Sequence, residues 1–123
     1  MARLMSVFLT EAQVRDRSKA VTRRMGWLMA RPGDQLTLCR KVRGRKPGEP
    51  LVRITTVEIV SVRREPLSAI TAEDVAAEGF PRMSPPEFID FFCSTHRGCR
   101  PESTVTRIHW RYLDAAASQK GEE

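Results

Sequence analysis

The segment RDRSKAVTRRMGW, residues 15 to 27, sets Arg15, Arg17, Lys19, Arg23 and Arg24 around a single threonine, Thr22, and closes on Trp27. An amine crowded by guanidinium groups is pushed toward its neutral form if it is also desolvated, and a neutral amine can act as a base. The same cations would equally serve as a grip for phosphates or as a solvated basic face. Trp27 admits two roles: stacking on a nucleobase, a contact worth about 1–3 kcal/mol, or packing in the core beside Leu28.

A second constellation lies toward the other end. Cys93, His96 and Cys99 follow at intervals of three around an expected helix end, and Cys39 has the polar-facing parity of its strand. Three thiolates and one imidazole are a donor set suited to structural zinc, with no position left open for water. Reduced thiols packed separately in a small core are the alternative. Three cysteines are an odd number, and a chain of 123 residues does not need disulfides to hold its core.

The elements that must position these groups are legible from pattern. SVFL reads as a first strand, and Thr10 with Gln13 is a capping-box signature opening a helix over 11–18. RPGD, residues 31–34, is a turn, and QLTLCRKV alternates Leu36, Leu38 and Val42 as a strand with one buried face. The loop RGRKPGEP, residues 43–50, leads into LVRITTVEIVSV, where Val52, Ile54, Val60 and Val62 share parity and Thr55–Thr56 marks a bend or bulge. Thr71 caps a helix AEDVAAE that Gly79 stops, and Ser84, Pro85 and Glu87 open another in which Phe88, Phe91 and Phe92 fall at helical spacing as core. In the closing strand TVTRIHWRYL, Ile108, Trp110 and Tyr112 point to the core, and Arg107, His109 and Arg111 form a basic stripe.

These elements make one α+β domain over residues 1–114, a small barrel or curled mixed sheet with flanking short helices, followed by a frayed tail at 115–123. The apolar stretch MSVFLT is too short for a signal core or a membrane span, so a cytoplasmic protein with no membrane partner is expected. Charge is unevenly divided. Residues 1–64 carry fifteen Lys/Arg against five Asp/Glu, and residues 65–123 carry six against ten. The basic half is the expected contact surface for a polyanion, with Arg43, Arg45 and Lys46 in the hairpin loop and Arg107 and Arg111 on the last strand joining the basic segment.

SKAVTRR, then RPGDQLTL, then a hairpin, then ITAEDVAAEGF and a closing strand, together resemble the ASCH domain, a relative of the PUA domains of RNA-modifying proteins. The resemblance covers residues 6 to 113 and implies a small PUA-like β-barrel with a cleft between the lysine-threonine-arginine segment and the glutamate before Gly-Phe. It implies an RNA-binding or other nucleic-acid-binding module as the leading function. The alternative is an amidohydrolase that deacylates 4-acetylcytidine, whose lysine, threonine and glutamate are matched by Lys19, Thr22 and Glu78. In that mechanism Lys19 deprotonates Thr22 or a water, Glu78 shuttles the proton to the leaving amine, and Arg24 steadies an oxyanion or holds a phosphate. Ser18 stands where the family commonly has glycine, and GRKPGEP lengthens the hairpin. The competing reading pairs Lys19 with Glu78 as a plain ion pair. No cofactor is implied beyond the zinc.

Overall fold

Short β-branched runs separated by Gly/Pro turns build a sheet, and the computed structural model describes it over residues 2–113. The expected tail at 115–123 lies outside the described residues. In chain order the elements are β1 (Arg3–Ser6), a 3₁₀ turn (Phe8–Thr10), α1 (Glu11–Arg15), β2 (Val21–Arg24), β3 (Gln35–Cys39), β4 (Arg53–Pro66), a second 3₁₀ turn (Leu67–Ala69), α2 (Ala72–Ala77), α3 (Pro85–Thr95) and β5 (Thr104–Tyr112). The strands form one curled, mixed half-barrel in the order β1-β3-β4-β5-β2, with β1 parallel to β3 and every other pair antiparallel. The expected α+β architecture is therefore the observed one.

Curling brings the two outer strands together. The Arg24 guanidinium on β2 donates from Nη2 to the Ser6 carbonyl at the end of β1, 2.8 Å away. The seam between these edges is closed by a side chain instead of a backbone ladder, which leaves room beside it.

Two apolar clusters support the sheet. Met5, Val14, Leu36, Leu38, Val57, Ile59, Ile108 and Trp110 fill the barrel side. Leu67, Ile70, Val75, Phe88, Phe92 and Val105 bind α2 and α3 to the start of β5. Helix α3 starts as its sequence dictates: Ser84 accepts from the Glu87 amide at 3.2 Å, and Glu87 accepts from the Ser84 amide at 2.8 Å.

Several local expectations are corrected. The first strand lies three residues earlier than SVFL, and Phe8 and Leu9, each 56% exposed, belong to the 3₁₀ turn. Thr10 makes no side-chain cap to α1, which ends at Arg15 and not at residue 18. The run VTRR, read only as a basic segment, is strand β2. In β4 the bulges fall between Ile59 and Ser61 and opposite Leu38/Cys39. The shared parity of Val52, Ile54, Val60 and Val62 is therefore broken: Ile54 and Val62 still pack, half-buried, against the barrel core, but the fully buried positions lie elsewhere. Val57 and Ile59 are buried, and Val60 is turned outward.

A candidate ligand cavity at the barrel seam

Glu78 reaches the seam because α2 stops beneath it. Its amide closes the last helical bond to the Asp74 carbonyl, 2.8 Å away, and Gly79 then turns the chain at φ +107°. A Cβ at Gly79 would meet Gln13 Cγ at 2.7 Å, so the turn and the neighbouring α1 are fitted to each other. Lys19 is placed from the opposite side. Its carbonyl accepts from the Trp110 indole at 3.1 Å and the Tyr112 hydroxyl at 2.6 Å, and the next amide, Ala20, donates to the Ala77 carbonyl at 2.7 Å.

These anchors bring Lys19 Nζ to 2.8 Å from Glu78 Oε1 and 3.0 Å from the Glu78 carbonyl, in surroundings where Lys19 is 2% and Glu78 3% exposed. Burial pushes the lysine below its ordinary pKa. The charge of Glu78 and the hydrogen bond that it accepts from the ammonium oppose that shift, and Arg24 and Arg23 reinforce it.

Alternation along β2 sends its arginines to different places. Arg23 lies opposite Arg107 on β5, and both guanidiniums converge on Asp74. Arg23 also reaches Glu65 at 2.7 Å and Glu78 at 3.3 Å. Hydrogen bonds from Arg107, then those from Arg23, hold the Asp74 carboxyl far below the usual carboxylate range despite its burial. On the other face Thr22 Oγ1 accepts from Arg24 Nε at 3.1 Å. Among the described residues Arg24 makes no carboxylate ion pair, and its burial lowers it to about 10, still a cation at neutral pH. Five cations, Lys19, Arg23, Arg24, Arg63 and Arg107, thus surround three carboxylates, Glu65, Asp74 and Glu78.

Beside this network a cavity of about 240 Å³ opens at the seam. One wall is polar, with Lys19, Thr22, Arg24 and Glu78. The other is Phe80, Phe88, Phe91 and Phe92, with Phe8 and Leu9 at the 3₁₀ turn. Phe80 meets Phe91 edge-on at a centroid distance of 5.3 Å, so the wall is a packed aromatic cluster and not a set of loose rings. Such a concavity, mostly apolar with a few convergent polar groups, is the form of a small-ligand site.

Lys19, Thr22, Arg24 and Glu78 therefore converge, as the sequence reading requires. Lys19 and Thr22 nonetheless hold other partners: the ammonium is bound to Glu78, and the hydroxyl accepts from Arg24. Asp74, Glu65 and Phe80 were not singled out from the sequence. Asp74 and Glu65 look like ordinary solvated acids until β2 and β5 bring arginines to them.

The basic residues divide sharply. Arg23 is buried and Arg107 is paired to Asp74, so neither is a surface contact for a polyanion, contrary to the expected grip. Arg111 pairs with Glu58 and Arg15 with Glu11, each leaving its arginine half-exposed. Arg17 lies over the Tyr112 ring at 5.3 Å. Arg43, Arg45 and Lys46 stand exposed in the β3–β4 loop. Trp27 packs against the barrel core and is not among the residues that line the cavity.

The zinc set does not assemble. Among the described residues no three His, Cys, Asp or Glu side chains gather as a metal would need. Cys39 is fully buried in the sheet because β3 ends at a bulge that turns its side chain inward. His96 stacks on Phe92 with centroids 4.0 Å apart, and its Nδ1 lies 2.9 Å from the Phe92 carbonyl. Among the described residues no helix is long and apolar enough to cross a membrane.

No protein-family model and no curated protein matches the chain. Two solved structures resemble it. An ASCH domain from Lactobacillus crispatus JV V101 superposes with a TM-score of 0.56 at 16% identity, over 85% of this chain and 70% of that one. A protein from Enterococcus faecalis V583, assigned to the family DUF984, superposes with a TM-score of 0.52 at 10% identity, over 86% of this chain and 68% of that one. At these identities the likeness is one of fold, and the fold is that of an ASCH domain.

Proposed function

We propose that this chain is a nucleic-acid-binding module of ASCH fold, acting on RNA, that admits a nucleobase or nucleotide into the cavity at the seam. The observation that carries this reading is the pairing of a phenylalanine wall with Arg24, a guanidinium without a carboxylate partner among the described residues. A flat, weakly polar ring suits the first, and a phosphate suits the second. The network behind Arg24 pairs Lys19, Arg23, Arg63 and Arg107 with Glu65, Asp74 and Glu78, so no carboxylate is left over to neutralise Arg24, which favours an anionic guest over a cationic one.

The exposed basic loop supports a longer ligand. Lys41 at its start lies over the Phe8 ring at 5.4 Å, and Phe8 borders the cavity, so a strand leaving the cavity passes directly to Arg43, Arg45 and Lys46. The expected partner is a single-stranded segment, because a base must leave its stack to enter. RNA is preferred to DNA on the resemblance to PUA-like domains.

The second reading, hydrolysis of a 4-acylated cytidine, is favoured by the convergence of Lys19, Thr22 and Glu78 on one concavity. It requires Lys19 to exchange Glu78 for Thr22 or a water when substrate enters, since no Lys19–Thr22 hydrogen bond is present. One experiment separates the two. The protein is incubated with 4-acetylcytidine and, in parallel, titrated with short single-stranded RNA. The module binds RNA, weakens by about tenfold to a hundredfold on Arg24→Ala, and releases no cytidine. Cytidine release that disappears in Lys19→Ala establishes the hydrolase instead.

A further inference from the structure

The cysteines that do not gather for a metal are arranged for another chemistry. Cys93, in the last turn of α3, and Cys99, in the loop that follows, place their sulfurs 3.2 Å apart, with one thiol donating to the other. Both are free and partly exposed, whereas Cys39 is buried and distant in sequence. The intervening chain is already folded back. The Cys99 amide donates to the His96 carbonyl at 3.1 Å, and Gly98 takes φ +76° in open space. A disulfide bond needs the sulfurs to approach by only about 1 Å from this contact, within reach of side-chain rotation.

We propose that Cys93 and Cys99 form a reversible redox pair, oxidised to an intramolecular disulfide by low-molecular-weight disulfides. The step balances as thiol–disulfide exchange. The Cys93 thiolate attacks one sulfur of glutathione disulfide, its proton having gone to solvent, and the S–S bond of the oxidant breaks to release one glutathione thiolate. The Cys99 sulfur, deprotonated in turn, attacks Cys93 in the mixed disulfide and releases the second. Two electrons pass from the protein to the oxidant, which leaves as two molecules of glutathione.

The order of attack has a physical basis. Burial and the adjacent Cys93 sulfur push the Cys99 thiol up to about 11, so it is poorly ionised and suited to the second, intramolecular attack, where proximity compensates. Exposed Arg97, between the two cysteines, and Arg100, next to Cys99, favour approach of an anionic disulfide. The loop so closed contains Thr95 and His96, both of which border the cavity. Oxidation therefore fastens that stretch of its wall to the end of α3.

The test uses reduced full-length protein with glutathione disulfide, followed by intact mass and a non-reducing peptide map. The expected product has lost two hydrogens, retains no glutathione, links the peptides bearing Cys93 and Cys99, and leaves Cys39 unmodified. C99S is expected to stop at one bound glutathione, and C93S to take up glutathione more slowly and never to form the internal link. Amide exchange at residues 96–99 should slow on oxidation and recover with dithiothreitol. A wild type that stays reduced, accumulates glutathione as the single variants do, or links to a second chain overturns the proposal. The wild-type peptide map decides the matter even if a variant fails to fold.

Discussion

Lys19 can stay buried as a cation only while Glu78 faces it with a charge. Glu78→Gln keeps the shape but leaves the ammonium and one bond of Arg23 uncompensated, so it should lower unfolding free energy by about 3–5 kcal/mol in denaturant titration. Adding Lys19→Met to that variant should recover much of the loss, because the stranded charge is then gone; a double variant no more stable than Glu78→Gln would show that the carboxylate acts mainly through Arg23. Asp74 is the second such centre, and its sign is that of a carboxylate lowered on folding. Its stabilisation is complete above the ordinary carboxylate range and drains away as pH falls through and below it, since the unfolded chain takes up the proton first. Asp74→Asn should be destabilised at neutral pH and should show a shallower loss of stability than wild type on acidification, as read from denaturation midpoints at a series of pH values. At this scale the sequence was half legible. Lys19, Thr22 and Glu78 could be proposed together only through the resemblance to a known family. Asp74 and Glu65 could not be proposed at all, because their meaning comes from Arg23, 51 and 42 residues away in the chain.

Among the elements, those with a clean period or a full cap were readable and those whose stability comes from partners were not. β5 alternates from Thr106 to Arg111, and α3 carries a complete capping box, so pattern and structure agree there. β2 has four residues, two of them arginine, and its strand form comes from the β5 ladder together with the carboxylates that receive Arg23. No local pattern announces a buried arginine. β4 misled for another reason: a bulge adds one residue, and beyond it every side chain changes face. This has a measurable consequence. Val60→Ser should alter stability by no more than about 0.5 kcal/mol, as for other outward positions, whereas Ile59→Ala, one residue away, should cost about 2–5 kcal/mol. A large loss at Val60 in the same denaturant titration would mean that the strand is registered without its bulge.

On the scale of the whole molecule, the excess of basic residues in the first half does not become a uniform basic face. Folding spends Lys19, Arg23 and Arg63 on the acidic second half, where Asp74, Glu65 and Glu78 lie, and this explains how a chain so divided in sequence closes into one domain. Among the basic residues that remain outside, Arg43, Arg45 and Lys46 of the β3–β4 loop follow Lys41, which lies over Phe8 at the cavity mouth. If these three residues each meet a phosphate of a bound single strand, each releases counterions. The slope of log affinity against log salt should then fall in steepness by about 2 when all three are changed to glutamine, at about 0.7 per contact. Arg24→Ala should reduce affinity while changing the slope by no more than about one contact's worth, because it acts inside the cavity on a single group. The measurement is a set of RNA titrations between low and physiological salt for wild type and the two variants. An unchanged slope in the loop variant would place the strand elsewhere on the surface, even if the cavity still holds its base; the exposed neighbours Arg53 and Arg64, which lie on β4 beyond the loop, would then be the next cations to remove.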